Sequence, residues 1–123
     1  MNLTEFTDQQ KQSLVDLLVL GMYADDNLDL IEDEKARQVL EAIQFSSDSA
    51  RQYFIDASFA RARKHGASAQ TTRSYVSEIA KSFQTPAMRR QVYDALKDSL
   101  FSDQRMADKE SQLLAVVFEE FKL

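Results

Sequence analysis

The sequence predicts an all-α protein, a single-domain helical bundle of about six helices with two pseudo-repeated helix-loop-helix units. A chain of 123 residues is usually one domain, and 44% hydrophobic residues are enough to bury a core. It contains 2 Gly and 1 Pro, so turn-forming residues are few, whereas residues that favour helices are abundant. We therefore expect one domain over residues 1–123, without strands.

The first two helices are indicated by capping patterns followed by apolar residues at helical spacing. Thr7 and Gln10 form a Thr-x-x-Gln capping box, which predicts a first helix over 8–23. After a polar interruption, Asp29 and Glu32 repeat the capping pattern and open the second helix. The apolar positions that follow each cap predict one buried face per helix.

The next four helices have clear boundaries. The polar segment 46–48 can cap a third helix, which ends in three basic residues followed by Gly66. Thr85 supplies a cap and Pro86 a first-turn proline for the fifth helix. The fourth, fifth and sixth helices are expected over 71–83, 86–101 and 108–123.

Shifting the chain by 78 positions reveals an internal repeat. Residues 12–45 align with 90–123, and residues 46–89 form a spacer between the two copies. The pattern predicts a bundle in which the copies pack about a pseudo-twofold axis. Six of the 34 aligned pairs are identical: Asp16/Asp94, Leu18/Leu96, Asp25/Asp103, Glu32/Glu110, Val39/Val117 and Glu41/Glu119.

Each repeat places an Asp just after one helix and a Glu seven residues later, at the start of the next. An apolar residue between them, Leu28 or Met106, is expected to pack against the core and hold the loop closed. Carboxylates brought together in this way repel one another, and Ca²⁺ or Mg²⁺, which prefers oxygen ligands, would relieve the repulsion. The candidate metal ligands are therefore Asp25, Glu32, Asp103 and Glu110.

Helix capping is an alternative explanation of these acids. Asp29 and Glu32 can form a capping box, which explains both residues without a metal ion. Acidic residues also favour helix N-termini in general. In the second repeat Ala107 replaces Asp29, so Glu110 is less easily explained as a cap, although Asp108 could begin that helix instead. Metal binding and a purely structural role both remain open.

The first loop does not match an EF-hand. Asp25, Asn27 and Asp29 fit ligand positions one, three and five of the twelve-residue calcium loop. Leu30, however, stands where the loop requires Gly, and Ala36 stands where a bidentate Glu is needed. We therefore exclude a true EF-hand.

The two loops resemble those of the TerB-like family, the tellurite-resistance helical domains. The family signature is an Ala-Asp-Gly-like loop followed by a helix-opening Glu, and residues 24–28 with Glu32 and 102–106 with Glu110 look like its two copies. The resemblance covers nearly the whole chain. It implies an all-helical fold, an acidic cluster linked to divalent-metal binding, and a role in stress-response or membrane-associated assemblies.

Composition narrows the classes of function. The chain has no Cys, and His65 is its single histidine, which argues against thiolate or multi-histidine metal sites and against a Ser-His-Asp triad. We expect a non-enzymatic protein. The net charge of -5 disfavours nucleic acid as a partner. The start of the chain carries no signal pattern and no apolar stretch is long enough for a membrane span, so we expect a cytoplasmic protein.

Charge is segregated along the chain. Residues 1–45 contain ten acidic and three basic residues, whereas residues 46–90 contain three acidic and eight basic ones. These surfaces could bind a protein partner or a second copy in a metal-free interaction, which is the alternative function. The basic run 61–64 leaves peripheral association with anionic lipid open, but neutralisation of the acidic repeats explains it more simply. Five aromatic residues of the middle third are expected in the core: Tyr53, Phe54, Phe59, Tyr75 and Phe83.

Overall fold

The computed structural model describes the backbone of residues 3–24, 34–100 and 108–123, and the side chains of 3–23, 36–99 and 111–123. These residues form six helices and no strand, which confirms the all-α bundle. The helices are α1 (Asp8–Ala24), α2 (Glu34–Ala42), α3 (Asp48–His65), α4 (Ala69–Ala80), α5 (Pro86–Leu100) and α6 (Asp108–Glu120).

The predicted caps of α1, α3 and α5 are confirmed. At the start of α1 the Gln10 amide donates to Thr7 Oγ1 at 3.1 Å, and the Thr7 amide donates to Gln10 Oε1 at 2.9 Å. Ser47 accepts from the Ala50 amide at the start of α3, and Thr85 accepts from the Met88 amide before α5. Side-chain oxygens thereby satisfy first-turn amides that lack a partner within the helix.

Helix α4 begins two residues earlier than predicted and ends three residues earlier. Ser68 and Thr71 form a capping box, in which the Thr71 amide donates to Ser68 Oγ at 3.2 Å. Thr71 is therefore the third residue of the helix and not its start. Phe83 lies beyond the end of α4 but is fully buried, because its ring packs against Phe6 and Phe121.

Helix α1 is the centre of the bundle and packs against each of the other five helices. Its side chains from Leu14 to Leu20 are fully buried, with the exception of the partly buried Asp16. Arg89 connects α5 to the end of α4, because its guanidinium donates to the backbone oxygens of Phe83 at 2.8 Å and Ala80 at 3.2 Å. A helix surrounded on all sides explains why α1 shows little hydrophobic asymmetry.

Several positions that the predicted repeat aligns have the same environment in the structure. The two copies also pack reciprocally, since α1 contacts α6 and α2 contacts α5, as a pseudo-twofold arrangement requires. Six aligned pairs are buried in both copies: Leu14/Val92, Leu17/Ala95, Leu18/Leu96, Ala36/Leu114, Val39/Val117 and Ile43/Phe121.

The spacer breaks this symmetry, because α3 packs on α1 of the first repeat whereas α4 packs on α6 of the second. The residue types at aligned positions differ in the same way as the packing. Val19 and Leu20 are buried in α1, and their counterparts in α5 are the exposed Lys97 and Asp98. Positions that are buried in both repeats are thus apolar in both. These two positions, which are buried in only one repeat, are apolar there and charged in the other.

The core prediction for the aromatic residues was wrong at Tyr53, whose side chain is 78% exposed on the outer face of α3. The neighbouring Phe54 and Phe59, and Tyr75 of α4, are partly buried and pack against the core. Adjacent residues on a helix point about 100° apart. Helix α3 packs against α1 and α4, so the side of the helix that carries Tyr53 is left in solvent.

Candidate functional site

The predicted metal ligands lie outside the part of the chain whose side chains the structure describes. Asp25, Glu32 and Asp103 fall in segments 25–33 and 101–107. Glu110 is the third residue of α6, which places its backbone in the first turn of the helix, but its side chain lies outside the description. Leu28 and Met106, the apolar residues expected to hold the loops closed, also lie outside the described residues.

The described residues next to these segments line a common pocket. It has a volume of about 420 Å³, within the range of small-ligand sites. Tyr23 comes from the end of α1 and Gln112 from the beginning of α6, so these two helix ends lie at the same end of the bundle. The lining is completed by residues without formal charge: Leu20, Gly66, Ala67, Ser68, Ala69, Thr72, Leu113 and Val116.

Gly66 lets the turn between α3 and α4 approach the end of α1. Its amide donates to Ala62 O at 2.8 Å, and its φ of -81° is one that any residue can adopt. A Cβ at this position would lie 2.7 Å from Ala62 O and 2.9 Å from Tyr23 Cδ1, which is closer than packed atoms tolerate. Glycine is therefore needed for space and not for a left-handed backbone, and it fixes one wall of the pocket.

The turn that forms this wall is held by hydroxyl groups. Thr72 Oγ1 lies 2.7 Å from Ser68 O and 3.0 Å from His65 O, and Thr71 Oγ1 donates to His65 O at 2.8 Å. The two contacts with His65 O satisfy a carbonyl oxygen at the end of α3, where no helical amide is available. The His65 ring stacks on Tyr75 with centroids 4.3 Å apart. The predicted basic end of α3 is confirmed, and the turn is firmly anchored to α4.

A polar network inside the bundle was missed by the sequence analysis. Asp16 of α1 accepts hydrogen bonds from Ser58 Oγ and from Arg61 Nη2 of α3, both at 2.7 Å. Ser58 is 1% exposed and the Asp16 side chain 16%, so the carboxylate is largely shielded from water, whereas the Arg61 side chain is 37% exposed. Only the identity of Asp16 and Asp94 between the repeats hinted at this role, since the sequence does not show which helix packs on α1.

Tyr75 of α4 adjoins this network. Burial raises the pKa of Tyr75 to about 12, and the negative charge of Asp16 acts in the same direction. Burial tends to lower the pKa of Arg61, but the hydrogen bond and charge of Asp16 outweigh it, so the Arg61 pKa is raised. The Tyr75 hydroxyl and Arg61 Nε are both buried without a hydrogen-bond partner among the described residues.

A second spacer arginine reaches the second repeat. Arg73 of α4 lies 2.9 Å from a carboxylate oxygen of Glu119 and 3.4 Å from one of Glu120, both at the end of α6. Arg61 of the spacer thus forms an ion pair with the first repeat and Arg73 with the second. This pattern agrees with neutralisation of the acidic repeats by the basic middle third.

Within the described ranges, no three Asp, Glu or His side chains lie close enough together to hold a metal ion. None of the described helices combines the length and hydrophobicity that crossing a bilayer requires. Searches against protein-family models, curated proteins and solved structures find no match to this chain.

Proposed function

We propose that this chain is a non-enzymatic helical module that binds a divalent cation through the acidic residues of its two repeat loops. The ligands would come from two carboxylates in each loop. Carboxylate oxygens are the donors that Ca²⁺ and Mg²⁺ prefer, and a set without thiolate or imidazole favours these hard cations over zinc. The resemblance to TerB-like domains suggests a setting in a stress-response assembly. The proposed ligands are Asp25, Glu32, Asp103 and Glu110.

The observation that carries this proposal is the meeting of α1 and α6 at the pocket. Asp25 follows Tyr23 by two residues, and Glu110 precedes Gln112 by two residues. Tyr23 and Gln112 line the same pocket, and consecutive Cα atoms are about 3.8 Å apart. One acid of each repeat, Asp25 in the first and Glu110 in the second, is thus attached to a helix end at this end of the bundle.

Three of the described acids in the repeats already have a cationic partner in the spacer. Asp16 is bound by Arg61, and Glu119 and Glu120 are bound by Arg73. These ion pairs hold the spacer against the repeats. The loop acids therefore remain the best candidates for binding a cation.

The experiment is a titration of the chelator-treated protein with Ca²⁺ and, separately, with Mg²⁺, followed by thermal unfolding. A ligand present at 100 times its Kd stabilises the folded state by about 2.7 kcal/mol, which corresponds to an increase in Tm of roughly 5–15 °C for a domain of this size. The E32Q/E110Q variant should lose this increase. The matched control, E5Q/E41Q, removes the same two charges from exposed positions and should keep it.

Two results would contradict the proposal. One is a Tm that neither cation changes. The other is an equal loss of the cation effect in E32Q/E110Q and in the control, which would indicate a general response to charge. If the glutamates act only as helix caps, E32Q/E110Q should keep the cation effect, since glutamine can also cap, whereas E32A/E110A should lower the Tm of the cation-free protein.

A metal-free interaction function is the second candidate, and an aromatic pair at the surface favours it. The rings of Tyr93 and Phe118 meet edge to face at 5.7 Å, and Phe118 remains 42% exposed. Exposed aromatic residues are enriched where proteins bind one another. Light scattering in the presence of chelator, at low and at high salt, tests whether the chain associates with itself through charged surfaces. A monomer under both conditions would exclude self-association.

A further inference from the structure

The surface formed by Tyr93 and Asp94 of α5 and Phe118 of α6, called here the α5–α6 face, has an unusual composition for a solvated surface. The Arg90 guanidinium lies 5.6 Å from the centre of the Tyr93 ring, and Arg90 Nε lies 3.4 Å from Asp94 Oδ1. The Asp94 side chain is 53% exposed. The face thus combines an exposed ring, the partly buried ring that it contacts, and an exposed carboxylate on the residue after Tyr93.

The first repeat shows what such a face can bind. The counterparts of Tyr93, Asp94 and Phe118 are Val15, Asp16 and Leu40. Val15 and Leu40 are buried, and α3 packs across α1 at Asp16. The α1 part of the equivalent surface is therefore covered by a helix of this chain, α3.

The covering helix presents a simple pattern of side chains. Phe54, Ser58 and Arg61 occupy positions i, i+4 and i+7 of α3 and so lie on one side of the helix. Ser58 and Arg61 bind Asp16, and Phe54 packs against the core with the Arg61 guanidinium 5.8 Å from its ring centre. An apolar residue and an arginine two turns apart are the groups that recognise this surface.

We propose that the α5–α6 face docks an amphipathic helix of a partner protein that carries an apolar residue and, two turns later, an arginine. The apolar residue would contact Tyr93 and Phe118, and the arginine would pair with Asp94, whose existing partner Arg90 lies on its own helix and is itself exposed. The inference rests on the metal-free interaction function and names its partner. It is independent of cation binding.

The extent of the contact follows from the differences between the repeats. Val19 and Leu20, one turn beyond Asp16, are buried, but their counterparts Lys97 and Asp98 are exposed. A partner helix would therefore contact the aromatic end of the face and leave the turn with Lys97 and Asp98 in solvent. An interface of this limited size is typical of transient complexes.

The test uses a blocked synthetic peptide of residues 47–66, the α3 sequence, as the probe. It is titrated into the full-length, isotope-labelled protein in chelator, and amide chemical shifts are recorded. The largest shifts are expected around Tyr93, Asp94 and Phe118. F118A and D94N should each weaken binding by about tenfold or more, the effect of losing a central contact. Matched controls are Y53A, which removes an aromatic residue from another surface, and E41Q, which removes an exposed charge.

The peptide has its own matched pair of variants. R61Q removes the arginine that would meet Asp94, whereas R63Q removes an equal charge from the exposed side of the same helix. R61Q should weaken binding and R63Q should not. Failure of the peptide to bind, shifts located elsewhere, or equal losses with R61Q and R63Q would overturn the inference. The light-scattering result for self-association would stand in each case.

Discussion

Asp16 and Arg61 join the central helix to the spacer through a contact of 2.7 Å, in the first repeat only. In the second repeat the counterpart of Asp16, Asp94, pairs at 3.4 Å with Arg90 of its own helix. The same acid thus connects two helices in one repeat and lies on the surface in the other. Burial by α3 makes the difference.

This difference predicts that removing Arg61 lowers the free energy of unfolding more than removing Arg90. R61A should lower the free energy of unfolding by about 2 kcal/mol, because it leaves the shielded Asp16 carboxylate with one hydrogen bond fewer. R90A should change it by less than about 0.5 kcal/mol, since Arg90 and Asp94 form an exposed pair within one helix. Urea unfolding of the two variants measures both values. Equal losses would show that the Asp16 pair contributes no more than a surface ion pair.

The high pKa of Tyr75 predicts a pH dependence of stability. The ordinary pKa of a tyrosine is 10.0, and burial raises that of Tyr75 to about 12. Between these values the unfolded chain has released the proton and the folded chain retains it, so stability falls as pH rises through this window. Replacement by Phe should remove this part of the decline.

The measurement compares urea unfolding of the native protein and of Y75F at several pH values between 9 and about 11.5. The difference in stability between them should change with pH above 10 and be constant below it. In the folded protein near pH 11, absorbance at 295 nm should show the same number of phenolates in both proteins, because Tyr75 is still protonated there. A pH-independent difference would mean that Tyr75 ionises at its ordinary pKa.

The sequence predicts the local features of this fold well, because caps and periodicity act over a few residues. The box formed by Thr7 and Gln10 and the Ser47 cap are confirmed. The contacts of Asp16 could not be predicted in this way. They depend on how α3 crosses α1, and the sequence spacing of 42 residues between Asp16 and Ser58 carries no information about that crossing.

The candidate site, too, is only partly predictable from the sequence. The acidic loops are apparent in the sequence as repeated Asp and Glu positions, whereas the pocket is not, because Leu20, Gly66 and Leu113 come from three distant parts of the chain. Gly66 was recognised as a helix end. Its closeness to Tyr23 depends on tertiary packing and required the structure.

The close approach at Gly66 predicts that G66A is destabilising. The added Cβ would lie within 3 Å of both Ala62 O and Tyr23 Cδ1, so the turn or the ring must move, at a cost of roughly 1–3 kcal/mol. In a Y23A background the same change should cost less, because one of the two close contacts is absent. A double-mutant cycle in urea measures the difference. Equal costs in both backgrounds would assign the whole effect to Ala62.

The difference between the repeats also predicts unequal effects at an aligned apolar pair. Leu40 is 4% exposed and its counterpart Phe118 is 42% exposed, so L40A opens a cavity in the core and F118A removes a ring that already contacts water. L40A should lower the free energy of unfolding by about 2–5 kcal/mol, whereas F118A should lower it by about 1 kcal/mol, chiefly through loss of its edge contact with Tyr93. L18A and L96A, at an aligned pair buried in both copies, serve as controls and should have similar costs. If F118A were as destabilising as L40A, the aromatic pair would be part of the core, and the α5–α6 face would have no ring free to receive a partner.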